Sequence, residues 1–499
     1  MTEVQAATTA GGGTRVRRAA ITNLGCKVNQ SEMDAVERLL RTRGVTLVAD
    51  GSPADLHLVN TCTVTGVADD KSRKAVRRAR RESPAATLIV TGCSVQVDRA
   101  AVAAADASAR LVGNEGKDGL LAEVERLLGA PAPRAGTEVP PGLLAGALPT
   151  LAGVEIAGIA DDRARIDRTR AYVKVQDGCS FFCTYCIIPR ARGPERSLAP
   201  EVVLADVRRA LAAGHREIVL TGINIGTYDG GWSERGTRSA HARAALSLAG
   251  LVRRILAETP VERIRLSSIE PQHVDDDLLA AWTGEGAGRC LPHVHLPLQS
   301  GDDGVLRRMG RRYDAAAYAR AVERVRAAIP GVAIHADVIA GFPTEDDPAF
   351  ERSLAFIRWL DPAGLHVFRY SARPGTPATR MAGQVSEAVR RERAAALLAE
   401  AAAARARFAA RSSGGRRLVL FEEPAARGDP ADGWIGHAED YVVVRAPAPN
   451  GVSLEGEIGV VAVAGPDPGD PERALGRIER LVPRAAGAPR ALPGVPLPA

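Results

Sequence analysis

Aromatic residues are few. The chain has 4 Trp, 7 Tyr and 8 Phe in 499 residues, or 4%. So few rings do not advertise the base-stacking surfaces used on single-stranded nucleic acid. A nucleic-acid partner would instead be held by shape and backbone contacts. Lysine is scarce beside arginine and alanine, a bias that reflects genome composition more than function. Long apolar runs are missing too. The most apolar long stretch, Leu143 to Ala160, is broken by Pro149, Thr150, Glu155 and several glycines, which excludes a membrane span. The first 17 residues are small and polar and include three consecutive glycines, so no secretory signal is read. These absences lead to the expectation of a soluble, cytoplasmic protein with no membrane partner. Neither sign of charge dominates: the net charge of +6 permits an anionic partner without demanding one. At 45% apolar and 25% charged residues, the chain can build ordinary globular cores, and its length suggests two to four domains.

Cysteine is also sparing, with 7 in all. In a cytoplasmic chain these argue for metal binding or catalysis over disulfides. Three of them form Cys179-Ser-Phe-Phe-Cys183-Thr-Tyr-Cys186. Three thiolates this close, on a loop leaving a predicted strand, reach three irons of one cubane cluster and leave the fourth iron open. A structural zinc site prefers four closed ligands, usually two paired knuckles, and fits less well. Cys26, Cys62 and Cys93 each directly follow a predicted strand. In an open parallel sheet the carboxyl ends of the strands share one crevice, so the three can converge on a second cluster. Three buried cysteines at strand ends is the other reading of the same residues. Cys290 stands alone and reads as an inert thiol.

The pattern divides into modules. Residues 16–130 read as an open parallel α/β domain, with strands ending near Asn23, Asn60 and Thr91. A helix is placed from Ser31, with Asp34 as a capping-box variant, to Gly44. Residues 131–168, rich in Pro, Gly and Ala, read as a linker. Residues 169–411 hold a second α/β series, with strands Tyr172–Gln176, Glu217–Thr221, Arg263–Ser267, Val294–Gln299, Ala333–Ile339 and Leu365–Tyr370. Six such units suggest a partial (β/α)6 TIM-like barrel. Gln384 to Arg411 reads as one long helix closing that module, and Gly230 to Arg243 as a mobile polar insertion. Residues 412–482 read as a small all-β barrel, with strands Arg417–Glu422, Tyr441–Arg445 and Val452–Val463. The Pro- and Ala-rich residues 483–499 read as a disordered tail.

The central Cys triad resembles the hallmark of the radical S-adenosylmethionine superfamily. That resemblance implies a 4Fe–4S cluster whose open iron is chelated by S-adenosylmethionine, and a 5′-deoxyadenosyl radical. Three dispersed N-terminal cysteines, this triad and a small C-terminal β-domain similar to a TRAM domain together resemble the methylthiotransferases, from Val16 to about Arg480. Gly25-Cys26-Lys27-Val28-Asn29-Gln30, Asp177-Gly178-Cys179 and Ile187-Ile188-Pro189-Arg190-Ala191-Arg192-Gly193 are similar to the MtaB type. So are Leu220-Thr221-Gly222-Ile223-Asn224, Leu298-Gln299-Ser300-Gly301 and the run from His366 through Arg373-Pro374-Gly375-Thr376. Three positions depart from the pattern: Arg369 stands for Pro, Arg190 for Tyr, and Thr344-Glu345 for Gly-Glu.

The resemblance implies two 4Fe–4S clusters, one on Cys26, Cys62 and Cys93 and one on Cys179, Cys183 and Cys186. It implies two molecules of S-adenosylmethionine per turnover and methylthio addition at C2 of N6-threonylcarbamoyladenosine beside the tRNA anticodon. The expected partners are the tRNA anticodon loop and an electron donor such as flavodoxin or ferredoxin, with the protein a monomer. Rival readings are the same chemistry on isopentenyladenosine tRNA or a ribosomal protein, a radical methyltransferase, and a non-catalytic cluster-bearing RNA-binding protein.

Further site residues follow. By resemblance, Tyr185 packs near the adenine of the cofactor and Thr221-Gly222 lets backbone approach its methionine amino group. Glycine permits that approach because it has no Cβ. Glu270, Gln299 and Asp337 fall at or beyond strand ends and read as cofactor or substrate contacts. Lys71, Arg73, Lys74, Arg77 and Arg78, followed by Arg80 and Arg81, make a basic helix suited to RNA phosphates, or else a solvated amphipathic face. His293 and His295 are assigned no role.

Overall fold

The computed structural model describes residues 16–128, 169–230, 246–426, 429–448 and 452–484. The linker at 131–168, most of the insertion and most of the tail lie outside them. The N-terminal sheet is fully parallel, in the order β2-β1-β3-β4-β5, from β1 (Arg18–Asn23), β2 (Thr46–Val48), β3 (Leu56–Thr61), β4 (Thr87–Gly92) and β5 (Arg110–Val112). Every residue of β3 is buried, as a central strand covered on both faces requires. Register sets Asn23 beside Asn60 and Asn60 beside Thr91. Cys26, Cys62 and Cys93 therefore leave the sheet at one edge.

Helix α1 spans Lys27–Thr42, not Ser31 to Gly44. Gly25 turns the chain with φ +113°, so Cys26 is already the N-cap. The Ser31 hydroxyl bonds back to the Val28 carbonyl at 3.1 Å and caps nothing. Helix α2 spans Gly66–Glu82 and is capped by Thr65, whose side chain accepts from the Ala68 amide. Helix α3 (Cys93–Val97) begins on the third cysteine.

Six parallel strands form the central barrel: β6 (Arg170–Lys174), β9 (Glu217–Thr221), β10 (Arg263–Leu266), β11 (His293–His295), β12 (Ala333–Ala340) and β13 (Gly364–Arg369). They pair as β10-β9-β6 and β11-β12-β13. Bridges at Ile264–Cys290 and Ser268–His295 join the two halves. No pairing links β13 to β6 among the described residues, so the barrel is open on one side. A short antiparallel pair, β7 (Gln176–Asp177) with β8 (Arg196–Ser197), brackets the cysteine loop. The long helix is Glu387–Arg411, starting three residues later than the composition placed it because Ser386 caps it through the Val389 amide.

The C-terminal strands β14 (Arg416–Ala426), β15 (Asp429–His437), β16 (Val443–Ala446), β17 (Ile458–Asp467) and β18 (Asp470–Leu481) close a barrel in the order β14-β15-β16-β18-β17. Sequence reading missed β15 and β18, which are rich in Gly, Pro, Asp and charge and lack clean alternation. This barrel plugs the amino-terminal end of the central one. Arg170, Glu217 and Arg263 stand side by side at the first positions of their strands. Glu217 holds Arg263 at 2.7 Å and Arg265 at 2.6 Å. Those arginines donate outward, Arg263 to the Leu418 carbonyl at 2.7 Å and Arg265 to those of Ala438 at 2.6 Å and Glu439 at 2.9 Å. Pro483 and Arg484, assigned to the tail from composition, are held as well. Arg216 donates to the Pro483 carbonyl at 3.2 Å, and Arg484 to that of Gly214 at 3.0 Å.

A buried ion network fastens the N-terminal sheet across the open side. Glu32 of α1 accepts from Lys117 at 2.5 Å, Arg192 at 3.0 Å and Lys174 at 3.2 Å. Arg192 also bonds Asp177 at 3.0 Å and the Asn29 side chain. A second staple joins the loop after Cys62 to the segment after β13. Arg373 donates to Thr63 at 2.6 Å and to Asp69, and the Gly66 amide donates to Ser371 at 2.9 Å. Burial alone would raise the Glu32 pKa, but Arg192, Lys117 and Lys174 outweigh it and hold the carboxyl well below its usual range. A depressed folded value gives stability that is full above the unfolded pKa and lost as pH falls toward the folded one. Glu32→Gln leaves three buried cations short of a partner and should cost about 3–5 kcal/mol near neutral pH, read from urea unfolding midpoints. The gap between variant and wild type should narrow as pH falls below about 4. Equal midpoints at neutral pH would remove the network from the stability of this interface.

Candidate active site

At the N-terminal sheet edge the cysteines crowd one another. A Cβ on Gly25 would stand 3.0 Å from Cys62 Cβ and 3.2 Å from its Sγ, so only glycine lets the loop of Cys26 pass Cys62. Cys26, Cys62 and Cys93 lie within electrostatic reach of one another. Asn114 donates to Cys93 Sγ at 3.4 Å and to the Ala191 carbonyl at 2.6 Å, tying this triad to the helix Ile188–Arg192 just past Cys186. The positive end of α1 rises from Cys26, which favours negative charge at the sulfurs.

The second cysteine loop is pinned from all sides. Gly178 turns with φ +69°, and a Cβ there would strike the Pro194 carbonyl at 1.9 Å. The Cys179 amide donates to the Gly193 carbonyl at 3.1 Å. The Thr184 amide donates to Met309 at 2.9 Å, its hydroxyl donates to Arg308 at 2.8 Å, and its carbonyl accepts from Ala378 at 2.9 Å. Arg311 donates to Cys183 Sγ at 3.3 Å.

The donor set fits iron–sulfur clusters. Burial pushes the Cys62 and Cys179 thiols up to about 11 and Cys186 up to about 12, so bare thiolates are costly and need a compensating cation. Among the described residues, only His295, Asp337 and His366 bring three ligand atoms within 4.8 Å of one another. Neither cysteine set is drawn that tightly. A single ion would need that closeness, whereas a cubane spreads its sulfurs over separate irons.

Unpaired polar groups mark a candidate cradle for a polar ligand. Asn224 is buried with neither side-chain atom hydrogen-bonded, and the buried Ser267 hydroxyl is likewise unpaired. They lie just past the carboxyl ends of β9 and β10, beside Thr221-Gly222. Groups left this way suit a polar ligand such as the methionine end of S-adenosylmethionine. A Cβ on Gly222 would press the Gln176 carbonyl and Oε1, each at 2.9 Å. Gln176 accepts from the Ile223 and Asn224 amides at 3.0 and 2.8 Å and donates to Asp177 and Gly178 carbonyls at 3.0 and 2.8 Å. It couples the loop after β9 to the cysteine loop. Sequence reading missed it, as it missed Asn224 as a site residue and Ser267.

The remaining expected residues divide. Tyr185 lies beside the cysteines, with its hydroxyl 3.4 Å from Arg311 and its ring edge-on to Phe342. Glu270 is ion-paired with Arg311. Gln299 sits at φ +67°, paired in a bridge with Val338. Asp337 accepts from His295 at 2.9 Å and His366 at 3.0 Å, so His295 has a partner that sequence reading did not give it. Cys290 lines a dry apolar pocket with Val252, Ile264, Leu266, Leu278 and Trp282, as an inert thiol would.

The basic run on α2 divides by pairing rather than by face. Arg73 pairs with Asp70, Arg78 with Asp50, and Arg80 with Asp106 at 2.5 Å. Lys71, Lys74, Arg77 and Arg81 are exposed, recur at helical spacing and make no ion pair among the described residues. The free cations are therefore this second set. Arg73 and Arg78 were grouped with it only because spacing alone does not reveal Asp50 and Asp70 as partners.

Two family descriptions match the chain: the uncharacterized protein family UPF0004 over residues 18–113 and the radical SAM superfamily over residues 173–357. The chain is 34% identical over 425 residues to the threonylcarbamoyladenosine tRNA methylthiotransferase MtaB of Bacillus subtilis (strain 168), covering 85% of this chain and 89% of that protein. Its counterpart in Thermotoga maritima is 34% identical, covering 81% of this chain and 86% of that protein. A tRNA-2-methylthio-N(6)-dimethylallyladenosine synthase of Novosphingobium aromaticivorans is 33% identical, covering 83% and 88%.

Two independent cluster sites should show in metal content. After anaerobic reconstitution, iron should reach about eight per chain in the wild type. Either triple variant, Cys26/Cys62/Cys93→Ala or Cys179/Cys183/Cys186→Ala, should hold about four. About four in the wild type and none in the second variant would leave Cys26, Cys62 and Cys93 without a cluster.

Proposed function

The chain belongs to the radical S-adenosylmethionine tRNA methylthiotransferases, and from that premise we propose that it adds a methylthio group at C2 of N6-threonylcarbamoyladenosine next to the tRNA anticodon. The observation that carries the reading is that Asn114 and Arg192 tie the surroundings of the first cysteine triad to the helix that follows Cys186 of the second. One triad suits radical generation. The other, joined to it through the helix that follows Cys186, suits delivery of sulfur. A C2–H bond of adenine is too inert for acid–base attack, so the reaction calls for a radical.

When bound, the two clusters and S-adenosylmethionine supply the radical, the sulfur and the methyl group. The protein's residues do the rest. Cys179, Cys183 and Cys186 would hold one cluster, and Cys26, Cys62 and Cys93 the other. Thr221, Gly222, Asn224 and Ser267 seat the cofactor's polar end, while Tyr185, Glu270 and Gln299 bound it. Gln176 fixes the loops that carry these groups, which is how a site keeps reacting atoms in register. The small barrel sealing the far end keeps bulk water from that direction.

Identity barely separates the two tRNA substrates among relatives, so side chains must. The lumen is polar: Lys27 faces Tyr441, Arg170, Arg265 and Asp337, and His295 and His366 flank Asp337. A threonylcarbamoyl group is polar and anionic and suits such walls, whereas a dimethylallyl group would ask for apolar ones. We take the limits 16–130, 169–411 and 412–482 as the working domains. The second carries the barrel chemistry and the third a TRAM-like fold. The protein is inferred to act as a cytoplasmic monomer with a flavodoxin- or ferredoxin-like donor. No helix among the described residues is long and apolar enough to cross a membrane.

Reconstituted enzyme should convert N6-threonylcarbamoyladenosine in tRNA to its 2-methylthio form, detected by mass spectrometry of nucleoside digests. Product only on isopentenyladenosine tRNA or a ribosomal-protein peptide would move the substrate. A methyl without sulfur would make it a radical methyltransferase, and tRNA binding without cofactor cleavage a non-catalytic protein.

Reversing the free cations of α2 by Lys71→Glu, Lys74→Glu, Arg77→Glu and Arg81→Glu should weaken tRNA binding at least about tenfold and flatten its salt dependence. Arg73→Ala with Arg78→Ala should change it much less. The opposite ranking would place the RNA elsewhere.

A further inference from the structure

The loop that carries the radical triad presents a ring that the reaction does not use. Phe182 lies between Cys179 and Cys183 with 70% of its surface exposed, while the next residue, Cys183, is buried. Its φ of +52° lies in the left-handed region, which bulky residues rarely adopt. A bulky apolar side chain held outward on strained backbone beside a buried cysteine is unusual enough to require an account. The loop is not loose: Thr184 is bonded to both Arg308 and Met309, and Gly310 approaches Cys183 Cα to within 3.8 Å of where its own Cβ would stand.

The same contacts bring segments that carry four exposed arginines against this loop. Arg307 and Arg308 end the helix Asp303–Met309, Arg312 follows it, and Arg380 lies in the turn Pro377–Arg380 that bonds Thr184. All four are exposed, and none makes an ion pair among the described residues. Most other arginines described here are paired with carboxylates. Of the nearby carboxylates, Glu270 is engaged with Arg311, Asp302 with Arg352 at 2.7 Å, and Asp303 with the Ala315 amide at 2.8 Å, while Glu195 lies on the Cys179 side of the loop. Arg312 stacks at 4.0 Å over Phe181, which stiffens the patch. An apolar anchor within a rim of free guanidiniums is complementary to an acidic protein surface.

The chemistry at this loop consumes an electron for each radical formed, and electron transfer through protein weakens steeply with distance. A donor therefore gains most by seating where the chain between two cysteine ligands reaches the surface. We propose that Phe182, Arg307, Arg308, Arg312 and Arg380 form the docking face for a small acidic one-electron carrier protein. This rests on the reading that Cys179, Cys183 and Cys186 hold a reducible cluster. With a flavin donor, the hydroquinone anion loses one electron to become the neutral semiquinone and the cluster gains it; no bond breaks and no proton moves. RNA is the other polyanion such a patch could meet, but a ring adjoining the buried Cys183 favours the electron carrier.

The test uses reconstituted holoenzyme, flavodoxin hydroquinone as donor and dithionite as a small control reductant. Cluster reduction is followed by stopped-flow absorbance. Phe182→Ala, and separately Arg307→Glu with Arg308→Glu, should slow reduction by flavodoxin at least about tenfold at low salt, and the charge variant should lose its salt dependence. Iron content and reduction by dithionite should stay at wild-type levels. Unchanged reduction by flavodoxin would overturn the proposal. So would an equal loss with dithionite, which would make these residues props of the loop. Weakened tRNA binding with normal flavodoxin reduction would assign the face to RNA. Absence of methylthio product from the wild type under dithionite would instead sink the functional reading, leaving the docking rates to be judged by themselves.

Discussion

Glu32 and Arg192 form the contact on which the site depends. They are buried, they come from helices of the two different α/β units, and each is held by further groups: Lys117 and Lys174 on one side, Asp177 and Asn29 on the other. Sinking so many charges is costly, and an apolar seam could be as stable. What the network adds is registry. Its hydrogen bonds are satisfied in one arrangement, and that arrangement sets α1, which begins at Cys26, against the segment that follows Cys186. Arg373 with Asp69 does the same for the loop after Cys62. Ser371 and Arg373 of that motif thus fasten the two α/β units together.

Parallel sheets supply the rest of the placement. Each sends its cysteine-bearing loops from the carboxyl ends of its strands, where side chains meet in a crevice. One sheet is open and the other is a barrel missing a closing pair between β13 and β6. The N-terminal sheet is fastened across that gap by Glu32 with Arg192 and Lys174, and by Asp69 with Arg373.

The opposite end of the barrel is unusual in its polarity. Glu217 is fully buried, yet Arg265, Arg263 and Arg170 overcome the effect of burial and bring its pKa down to about 2. The arginines then use their remaining donors on carbonyls of the C-terminal barrel. That barrel is therefore built into the floor of the central one, with Tyr441 (φ +70°) bonded to Arg170 at 3.0 Å. A module read from sequence mainly as a grip on RNA also covers the amino-terminal end of the central barrel.

Much of this was legible in the residues. The strand-ending cysteines, the tight triad and the repeated β/α spacing are local signals. They determined the chemistry and the architecture because strand, loop and ligand lie within a few residues of one another. Helix α1 misled because its start is set by the turn at Gly25, not by a capping side chain. Asn224, Ser267 and Gln176 escaped notice because an unpaired or bridging role exists only once distant strands are adjacent. Glu32, Lys117, Lys174 and Arg192 look in sequence like ordinary surface charges. Tertiary structure alone decided that they are buried together, that Arg73 and Arg78 are paired while Lys71, Lys74, Arg77 and Arg81 are free, and that Asn114 and Arg192 tie the first triad's surroundings to the helix after Cys186. The physical reason is that charge pairing and burial are properties of the neighbours a residue acquires on folding, and those neighbours come from far along the chain.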